Sequence, residues 1–442
     1  MLQREGLKTY ARYVIPSAIA FALSSIYSVV DGLFVGQMVG DAGIAGVNVA
    51  YPLVALVLAV GTGIGMGGAV IGTVRMGAGQ YDRARQVVGH TIMMLILASV
   101  PLMIILQLCA APLLYAMGGR GETFDQAFTY LTVIMWGAVF QVLASGCIPL
   151  IRNKGHVIYA LCALASGGLL NCGLDYVTVV QLNLGVTGAA LSTIAAQVLV
   201  FIFGLVFFIR SREHLYLADF LPNRKLICDT LRIGFAPFAL TLLPEVTTLV
   251  INIASGVLGG ETAQAAFAVI SYVVVAVQWI IQGINDGSQP LISMCYGQEK
   301  VATVRSLRRT NYTCAITIGL LGTILLITAR GPIAALFGIS AEASDIFDNG
   351  VVIFSLGLVC YGFTHATTSF FYAIERSREA SLIIIGEAVL IVATSIILPS
   401  FLGLNGVWLS VFVTQILLCI LSGVLLIRFR LQGSDAHRAS VV

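Results

Sequence analysis

The chain has 442 residues, of which 58% are hydrophobic and only 10% are charged, with a formal net charge of +3 and a mean hydropathy of +0.96. Soluble domains carry about a quarter charged residues, so this composition excludes a water-facing surface over most of the chain. The nine cysteines are scattered, without a CxxC pair, and predict neither a disulfide framework nor a metal site. The basic residues follow the loops rather than one patch, which argues against a nucleic-acid partner.

Apolar runs recur from one end of the chain to the other. A helix of about 20 residues crosses the hydrocarbon core of a bilayer, which is about 30 Å thick. Twelve runs meet this length, at residues 10–37, 43–73, 90–116, 125–150, 156–180, 185–210, 232–257, 263–293, 311–336, 347–374, 379–402 and 404–430. We therefore expect an all-α integral membrane protein with twelve transmembrane helices.

The charges in the loops predict the orientation, because Lys and Arg are retained on the cytoplasmic side. With the N-terminus inside, the inner segments hold 22 of the 24 Lys and Arg residues, and the outer side holds only Arg120 and Arg330. Both termini are thus predicted to be cytoplasmic. The short polar tails favour a plasma membrane protein of the bacterial inner membrane.

Two stretches at the beginning of the sixth and twelfth spans are similar in sequence. Residues 184–192 read LGVTGAALS and residues 402–410 read LGLNGVWLS, an offset of 218. The same offset pairs Gln197 with Gln415 and the GQ of residues 79–80 with the GQ of residues 297–298. An offset of 221 pairs Pro16 with Pro237. Four matches in the same order indicate an internal duplication.

The duplication predicts the domain organisation. We expect an N-lobe at residues 1–210, a cytoplasmic linker at 211–231, a C-lobe at 232–430 and a cytoplasmic tail at 431–442. Six helices is an even number, so both lobes enter the membrane from the same side and are related by a pseudo-two-fold axis along the membrane normal. Two such bundles enclose a cleft that opens alternately to each side when they rock. We expect this geometry in a monomeric transporter.

Most acidic residues lie in loops or at helix ends, but five acids and one histidine fall within the predicted spans. An ionised side chain at the bilayer centre costs at least a few kcal/mol, so such residues usually face the bundle interior and often serve transport. The alternative interpretation of each is a neutral, hydrogen-bonded structural group. These residues are Asp31, Asp175, Glu245, Asp286, Glu387 and His365.

The first half predicts a cation-coupling site. Asp31 and Asp175 lie at a similar depth near the outer ends of the first and fifth spans. Asn171 precedes Asp175 by four residues and shares its helix face, and Thr193 lies at this depth in the sixth span. Two carboxylates in a low dielectric resist double ionisation, so the pair can bind and release a proton near neutral pH. The same oxygens could instead hold a small cation.

The second half has no acid at position 252, which corresponds to position 31. It carries instead three ionisable residues that we predict to form a substrate site or a second cation site: Glu245, His365 and Asp286. Pro16 and Pro237 lie early in the first helix of each half. Because proline removes a helix hydrogen bond and loosens the ladder, we predict hinges at both.

Several short motifs, together with the two six-helix halves, characterise the sequence. They are VDGLFVG at residues 30–36, RNKG at 152–155, NCGLDY at 171–176, GAA at 188–190 with Gln197, and QP at 289–290 shortly before YG at 296–297. Together this set resembles the MATE (multidrug and toxic compound extrusion) family. The resemblance covers nearly the whole chain.

The resemblance implies a V-shaped fold of two six-helix lobes and secondary active export of amphiphilic, often cationic molecules against inward H+ or Na+. The family's first-helix aspartate falls on Asp31, and its fifth-helix Asn and Asp fall on Asn171 and Asp175. The seventh-helix glutamate of the sodium-coupled branch corresponds to Glu245. The tenth-helix aspartate of that branch has no counterpart, since residues 363–365 read FTH. We therefore expect H+ rather than Na+ coupling, as in the DinF-like branch, and no bound cofactor.

Other functions fit the sequence less well. A lipid-linked precursor flippase of the same superfamily is the main alternative, but such proteins line their cleft with basic residues, and the predicted spans contain almost no Lys or Arg. An enzyme would need a clustered catalytic set, and none is visible. A passive channel does not need duplicated lobes with buried titratable groups. We therefore expect a multidrug antiporter whose partners are small molecules and membrane lipids.

Overall fold

The computed structural model describes residues 2–39, 41–210, 216–337 and 341–439. Within these ranges, side chains are not described at residues 2–6, 28–33, 35–37, 41–42, 44, 217, 261 and 430–439. The side chain of Asp31, part of the predicted linker (residues 211–215) and the end of the predicted tail (residues 440–442) therefore lie outside the described residues.

Every regular element in the described residues is helical, as a hydrocarbon environment demands, because a helix satisfies all its backbone hydrogen-bonding groups internally. Ten of the described helical segments are long and apolar enough to cross a bilayer, and the bent pair Gly121–Trp136 and Ala138–Asn153 adds an eleventh. The first helix, Leu2–Val39 with 38 residues, completes the predicted set of twelve.

The helices of the first half include two short or irregular elements beside the spans. A π-helix at Tyr176–Gln181 follows α7, and a 3-10 turn at Leu217–Phe220 lies in the linker. The helices are α1 (Leu2–Val39), α2 (Asp41–Gly77), α3 (Tyr81–Leu108), α4 (Ala110–Ala116), α5 (Gly121–Trp136), α6 (Ala138–Asn153), α7 (Val157–Asp175) and α8 (Gly185–Arg210).

The second half begins inside the predicted linker, where the side chain of Asn223 accepts hydrogen bonds from the backbone N–H groups of Lys225 and Leu226 and caps α9. Helix α9 contains the seventh and eighth spans, with non-helical backbone between them at Gly260. The helices are α9 (Arg224–Gly297), α10 (Val301–Thr328), α11 (Arg330–Phe337), α12 (Ala341–Ala373), α13 (Ser377–Leu402) and α14 (Leu404–Ala439).

The duplication is visible in the backbone. Helices α3 and α10 both have 28 residues and both are followed by a short helix after a one-residue break. Left-handed φ values recur at matched turns, at 75° and 58° for Gly79 and Glu299, 90° and 59° for Gly155 and Glu375, and 57° for both Gly185 and Gly403. The structural offset at the first turn is 220 residues, so the sequence pairing of Gly79 with Gly297 is wrong by two positions.

Another difference concerns the fourth span, which the sequence predicts as one straight helix. The chain bends there by 62° between α5 and α6. At the bend, a Cβ on Gly137 would lie 2.5 Å from Cγ1 of Ile194 in α8. The apolar pattern is unbroken across this point, and the bend reflects a neighbouring helix that the local sequence does not reveal.

The glycine-rich stretch at residues 61–72 lies inside α2 and packs closely against neighbouring helices. A Cβ on Gly65 would lie 2.5 Å from the Cα of Gly146 in α6, and Gly68 faces Thr91 of α3. Membrane helices associate through such close contacts because lipid supplies no hydrophobic driving force between them.

The chain divides into two compact units. The first comprises Met1–Glu245 with Gly287–Val304, and the second comprises Val246–Asp286 with Arg305–Val442. The core of the second unit contains Trp408, which is almost fully buried and packs against the rings of Phe267 and Phe354. Each cut falls inside α9 or α10, so both units contain segments of the second sequence half.

The Gly65 contact generates the first prediction. Gly65→Leu forces a branched side chain into the backbone of α6, and overpacking of this kind costs about 1–3 kcal/mol. We expect a lower midpoint of thermal unfolding for the detergent-purified variant, measured by fluorescence-detected size exclusion. The matched control is Gly423→Leu in α14, where no atom lies within 4 Å of the added Cβ. Equal midpoints for the two variants would contradict the packing assignment.

Candidate functional site

The first unit contains a buried carboxyl group at the end of a helix. Asp175 is the last residue of α7 and is fully buried, and Asn171, one turn earlier on the same face, is 4% exposed. The chain then changes directly into the six-residue π-helix. π-Helical turns are rare in proteins, and those that do occur are often found at functional sites. This irregular turn was not predicted from the sequence.

Hydroxyl groups connect the π-helix to α8. The Oγ atoms of Thr178 and Ser192 lie 3.0 Å apart, and Gly188 allows this approach because a Cβ there would lie 3.0 Å from the Thr178 side chain. Thr193 is half-buried, and its hydroxyl donates to the carbonyl of Ala189. Thr178 was missed by the sequence analysis, although its place three residues after Asp175 is a usable signal.

Helix α1 packs against α7 on both sides of position 31. Gly168 faces the ring of Tyr27, and the ring of Phe34 lies 6.5 Å from that of Tyr176. Residue 31 follows Tyr27 by four positions and precedes Phe34 by three, so it occupies the same face of α1. The side chain of Asp31 lies outside the described residues, and its proximity to Asp175 stays a prediction.

The amide of Asn171 has a donor to spare. Its Nδ2 is buried and has no hydrogen-bond partner among the described residues. A buried donor without a partner costs about 1–3 kcal/mol, so such groups usually serve a partner or a function.

In the second unit a glutamine links two of the predicted site residues. The Nε2 of Gln282 donates to Oδ1 of Asp286 at 2.9 Å, and its Oε1 lies 3.4 Å from Nδ1 of His365. This arrangement requires the proton of the neutral imidazole on Nδ1. His365 is 4% exposed and stacks on the ring of Tyr361 at 3.8 Å between centroids. Gln282 was not predicted, although it lies one helical turn before Asp286.

The remaining predicted residues lie in separate surroundings. Glu245 is half-buried on α9 directly after Pro244, in the first unit. In the second unit, Glu387 accepts a hydrogen bond from Gln415 at 3.0 Å, which agrees with a structural role. Pro16 and Pro237 both lie inside continuous helices, and their function as hinges stays a prediction.

The fold and the interior groups define a class of protein. The described residues form ten membrane-crossing helices and a bent eleventh, arranged with α1 in two related halves, and buried carboxyl, amide and hydroxyl groups lie among these helices. Interior carboxyl groups can bind protons or small cations, and an internal repeat of this kind is typical of secondary transporters.

Comparison with known proteins gives the family. The sequence profile of the MatE family matches residues 16–177 and 237–397, which together are well over half of the chain, and the chain therefore belongs to the MatE family. Among its relatives is the multidrug export protein MepA of Staphylococcus saprophyticus, 23% identical over 423 residues, covering 95% of this chain and 93% of the relative. MepA of Staphylococcus aureus is 24% identical over 439 residues, with the same coverage.

Solved structures share the fold. An outward-facing multidrug resistance MATE transporter of the MOP superfamily superimposes with a TM-score of 0.90 at 24% identity, covering 98% of this chain and 97% of that one. A MOP superfamily transporter from Pyrococcus furiosus gives 0.89 at 24% identity, with 97% and 96% coverage. The predicted all-α, two-lobe fold of twelve helices is thus confirmed.

The second prediction concerns Gln282. Gln282→Leu removes the donor to Asp286 and the acceptor for His365, and buried polar groups that lose a partner cost about 1–3 kcal/mol each. We expect a lower thermal midpoint for the purified variant. Gln298→Leu, at an exposed position next to α9, is the control and should leave the midpoint unchanged. If Gln282→Leu is as stable as the parent, the bridge does not stabilise the second unit.

Proposed function

We propose that this protein is a multidrug exporter that couples the outward movement of amphiphilic, often cationic small molecules to the inward movement of protons. Membership of the MatE family and the export function in the names of its relatives support the transport class. The buried titratable groups support the coupling. The proposed location is a bacterial inner membrane with both termini cytoplasmic, where an inward proton gradient drives export outward.

One observation carries the proton coupling, namely the fully buried Asp175 at the junction of α7 and the π-helix. Asn171 lies on the same face, and residue 31 lies on the face of α1 that packs against α7. When two carboxyl groups lie close together in a low-dielectric surrounding, they resist ionising together, so one of them tends to hold a proton. We propose that Asp31 and Asp175 share this role, with Asn171 and Thr193 as polar neighbours.

The coupling follows from competition between the proton and the substrate. The substrate enters from the cytoplasmic side while Asp31 is deprotonated. After the protein opens outward, a proton reaches Asp31 and Asp175, α1 rearranges near Pro16, and the substrate is released. Antiport requires that each ligand lowers the affinity for the other, and this coupling is reciprocal.

The groups in the second half have a secondary part in this proposal. The chain of Asp286, Gln282 and His365 offers a carboxylate and an imidazole for a cationic substrate or a second cation. Glu245 offers a further carboxyl group. We propose H+ as the coupling ion and no bound cofactor, since the first-half site needs only protonation to change its charge.

The third prediction tests the coupling. We expect Asp31→Asn to insert and fold normally but to lose proton-driven dye movement by roughly tenfold or more, because asparagine cannot change its charge. Purified protein in liposomes preloaded with ethidium is followed under an imposed proton gradient and then under a sodium gradient. Asp125→Asn, at an exposed position on α5, is the matched control and should keep the parent rate.

The outcomes separate the alternatives. Full activity in Asp31→Asn would exclude the proposed coupling site. Sodium-driven movement would exclude proton coupling and direct attention to Glu245. No movement of dye under either gradient with well-folded protein would contradict multidrug export and favour a lipid flippase, which a lipid-transfer assay in the same liposomes would detect.

A further inference from the structure

The first unit contains helix segments from both sequence halves. It comprises α1–α8, the beginning of α9 up to Glu245, and Gly287–Val304, which contains the end of α9 and the first turn of α10. These two segments of α9 belong to the seventh and eighth spans and lie on the side of the membrane that carries most of the Lys and Arg residues. The contact between them and the first half is here called the inner seam.

The inner seam is formed by backbone at three places where no side chain fits. A Cβ on Gly234 would collide with the backbone of Gly63, and a Cβ on Gly67 would lie 2.9 Å from the backbone N of Gly234. Gly297 lies against the backbone of Val74 in the same way. Gly287 contacts the backbone near Val14 of α1. The seam is therefore close-packed and excludes water.

Buried polar side chains cross the seam beside these contacts. Asn153, at the end of α6, and Gln289, on α9, exchange two hydrogen bonds, with Nδ2 to Oε1 at 2.9 Å and Nε2 to Oδ1 at 3.1 Å. Thr73 of α2 donates to Oδ1 of Asn153 at 2.8 Å, and Gln289 also donates to Ser293 at 2.9 Å. Asn153 is 5% exposed and Gln289 is not exposed at all.

We propose that the inner seam is the cytoplasmic gate of the transport cycle and that the amide pair of Asn153 and Gln289 is its latch. This inference rests on the proposed transport function. The two residues act as positioning residues, since they hold helices together without touching the substrate. The gate is closed in this structure and opens when the segments of α9 separate from α2 and α6.

The chemistry of the latch suits a contact that must open repeatedly. When the gate is closed, each amide satisfies the other, and when it is open, both can bind water at similar free energy. Large apolar side chains in the same place would expose their surface on opening, at a cost proportional to that area. Glycines expose little apolar surface. The seam can therefore be both tight and reversible.

Space for hydration lies next to the latch. A cavity of about 350 Å³ is bounded by Thr73 and Asn153 and also by Arg85, Lys154 and Tyr216. These polar groups form part of its wall at the ends of α2, α3 and α6. Water in this cavity can reach the amide of Asn153 as soon as the pair separates.

The test measures the gate directly. Tyr81 and Val301 begin α3 and α10, are 70% and 64% exposed, and belong to different sequence halves within the first unit. Spin labels on Tyr81→Cys and Val301→Cys, in a chain whose nine cysteines are replaced by alanine, give the distance across the inner side by double electron–electron resonance in nanodiscs. We expect a short-distance population for the closed gate and a long-distance one for the open gate.

Breaking the latch should shift these populations. Gln289→Leu removes one hydrogen bond from each end of the Asn153 amide in the closed state only, while Oδ1 keeps the bond from Thr73 and Nδ2 keeps the bond to the carbonyl of Pro149. The ratio of long to short distances should therefore rise roughly tenfold. Asn153→Leu should do the same, and the double variant should shift the ratio by less than the product of the single shifts, because both remove the same bonds. Gln289→Ala, which adds no apolar branch, is measured in parallel in case the leucine variant does not fold.

The control breaks an equivalent pair elsewhere. Asn311→Leu removes the hydrogen bond from Asn311 to Asn285, which is also buried and 2.9 Å long but lies in the second unit. It should leave the distance distribution unchanged. Distributions in folded Gln289→Leu and Gln289→Ala that match the parent, or an equal shift in Asn311→Leu, would overturn the latch.

The test is independent of the transport assay. Dye movement by the labelled parent together with unshifted distances would overturn the latch and leave the proposed function standing. Shifted distances without dye movement under any gradient would support the gate and contradict multidrug export. A single distance in all variants of a protein that moves dye would show that the seam does not open.

Discussion

The hydrocarbon interior of a membrane offers no hydrogen bonds to a backbone, and this constraint shapes the whole chain. Each span is helical, and the departures from a straight α-helix described above are the bend at Gly137 and the π-helix after Asp175. Both places contact α8, through Ile194 at the bend and through Ser192 beside Thr178 of the π-helix. The same constraint makes every interior polar side chain costly, so those that remain are paired or serve a function.

Close packing of the helices is a second consequence of the hydrocarbon environment. Because lipid tails are as apolar as leucine, the helices associate through fitted surfaces rather than by exclusion from water. Helix α2 illustrates this, since its glycine-rich stretch contacts α3 and α6 on one side and the beginning of α9 on another. Helix α2 thus takes part both in the packing within the first half and in the inner seam. Alternating access requires that the contact at the seam can open while the helices of the first half stay packed together.

Much of this arrangement could be predicted from the sequence because it depends on local composition. The apolar runs predicted twelve helices, and the similar stretches at the beginning of α8 and α14 indicated the duplication. The bend at Gly137 was not predicted, because the apolar pattern is unbroken there and the side chain that packs against Gly137, Ile194, lies on a different helix. The bridge through Gln282 was missed for a similar reason, since His365 is 83 residues away in the chain. The helix positions of Asp31 and Asp175 were predictable from periodicity, whereas the π-helix depends on contacts between Thr178 and α8.

The central claim is that the binding of substrate and the binding of a proton weaken each other. Measuring proton release when substrate binds tests this claim most directly. Detergent-purified protein in a weakly buffered solution near neutral pH is titrated with ethidium, while a pH indicator reports released protons and ethidium fluorescence reports binding. The account predicts that binding acidifies the solution and that the affinity for ethidium rises with pH, because the reciprocal coupling is a thermodynamic requirement. Saturable binding without proton release, and with an affinity independent of pH, would contradict it.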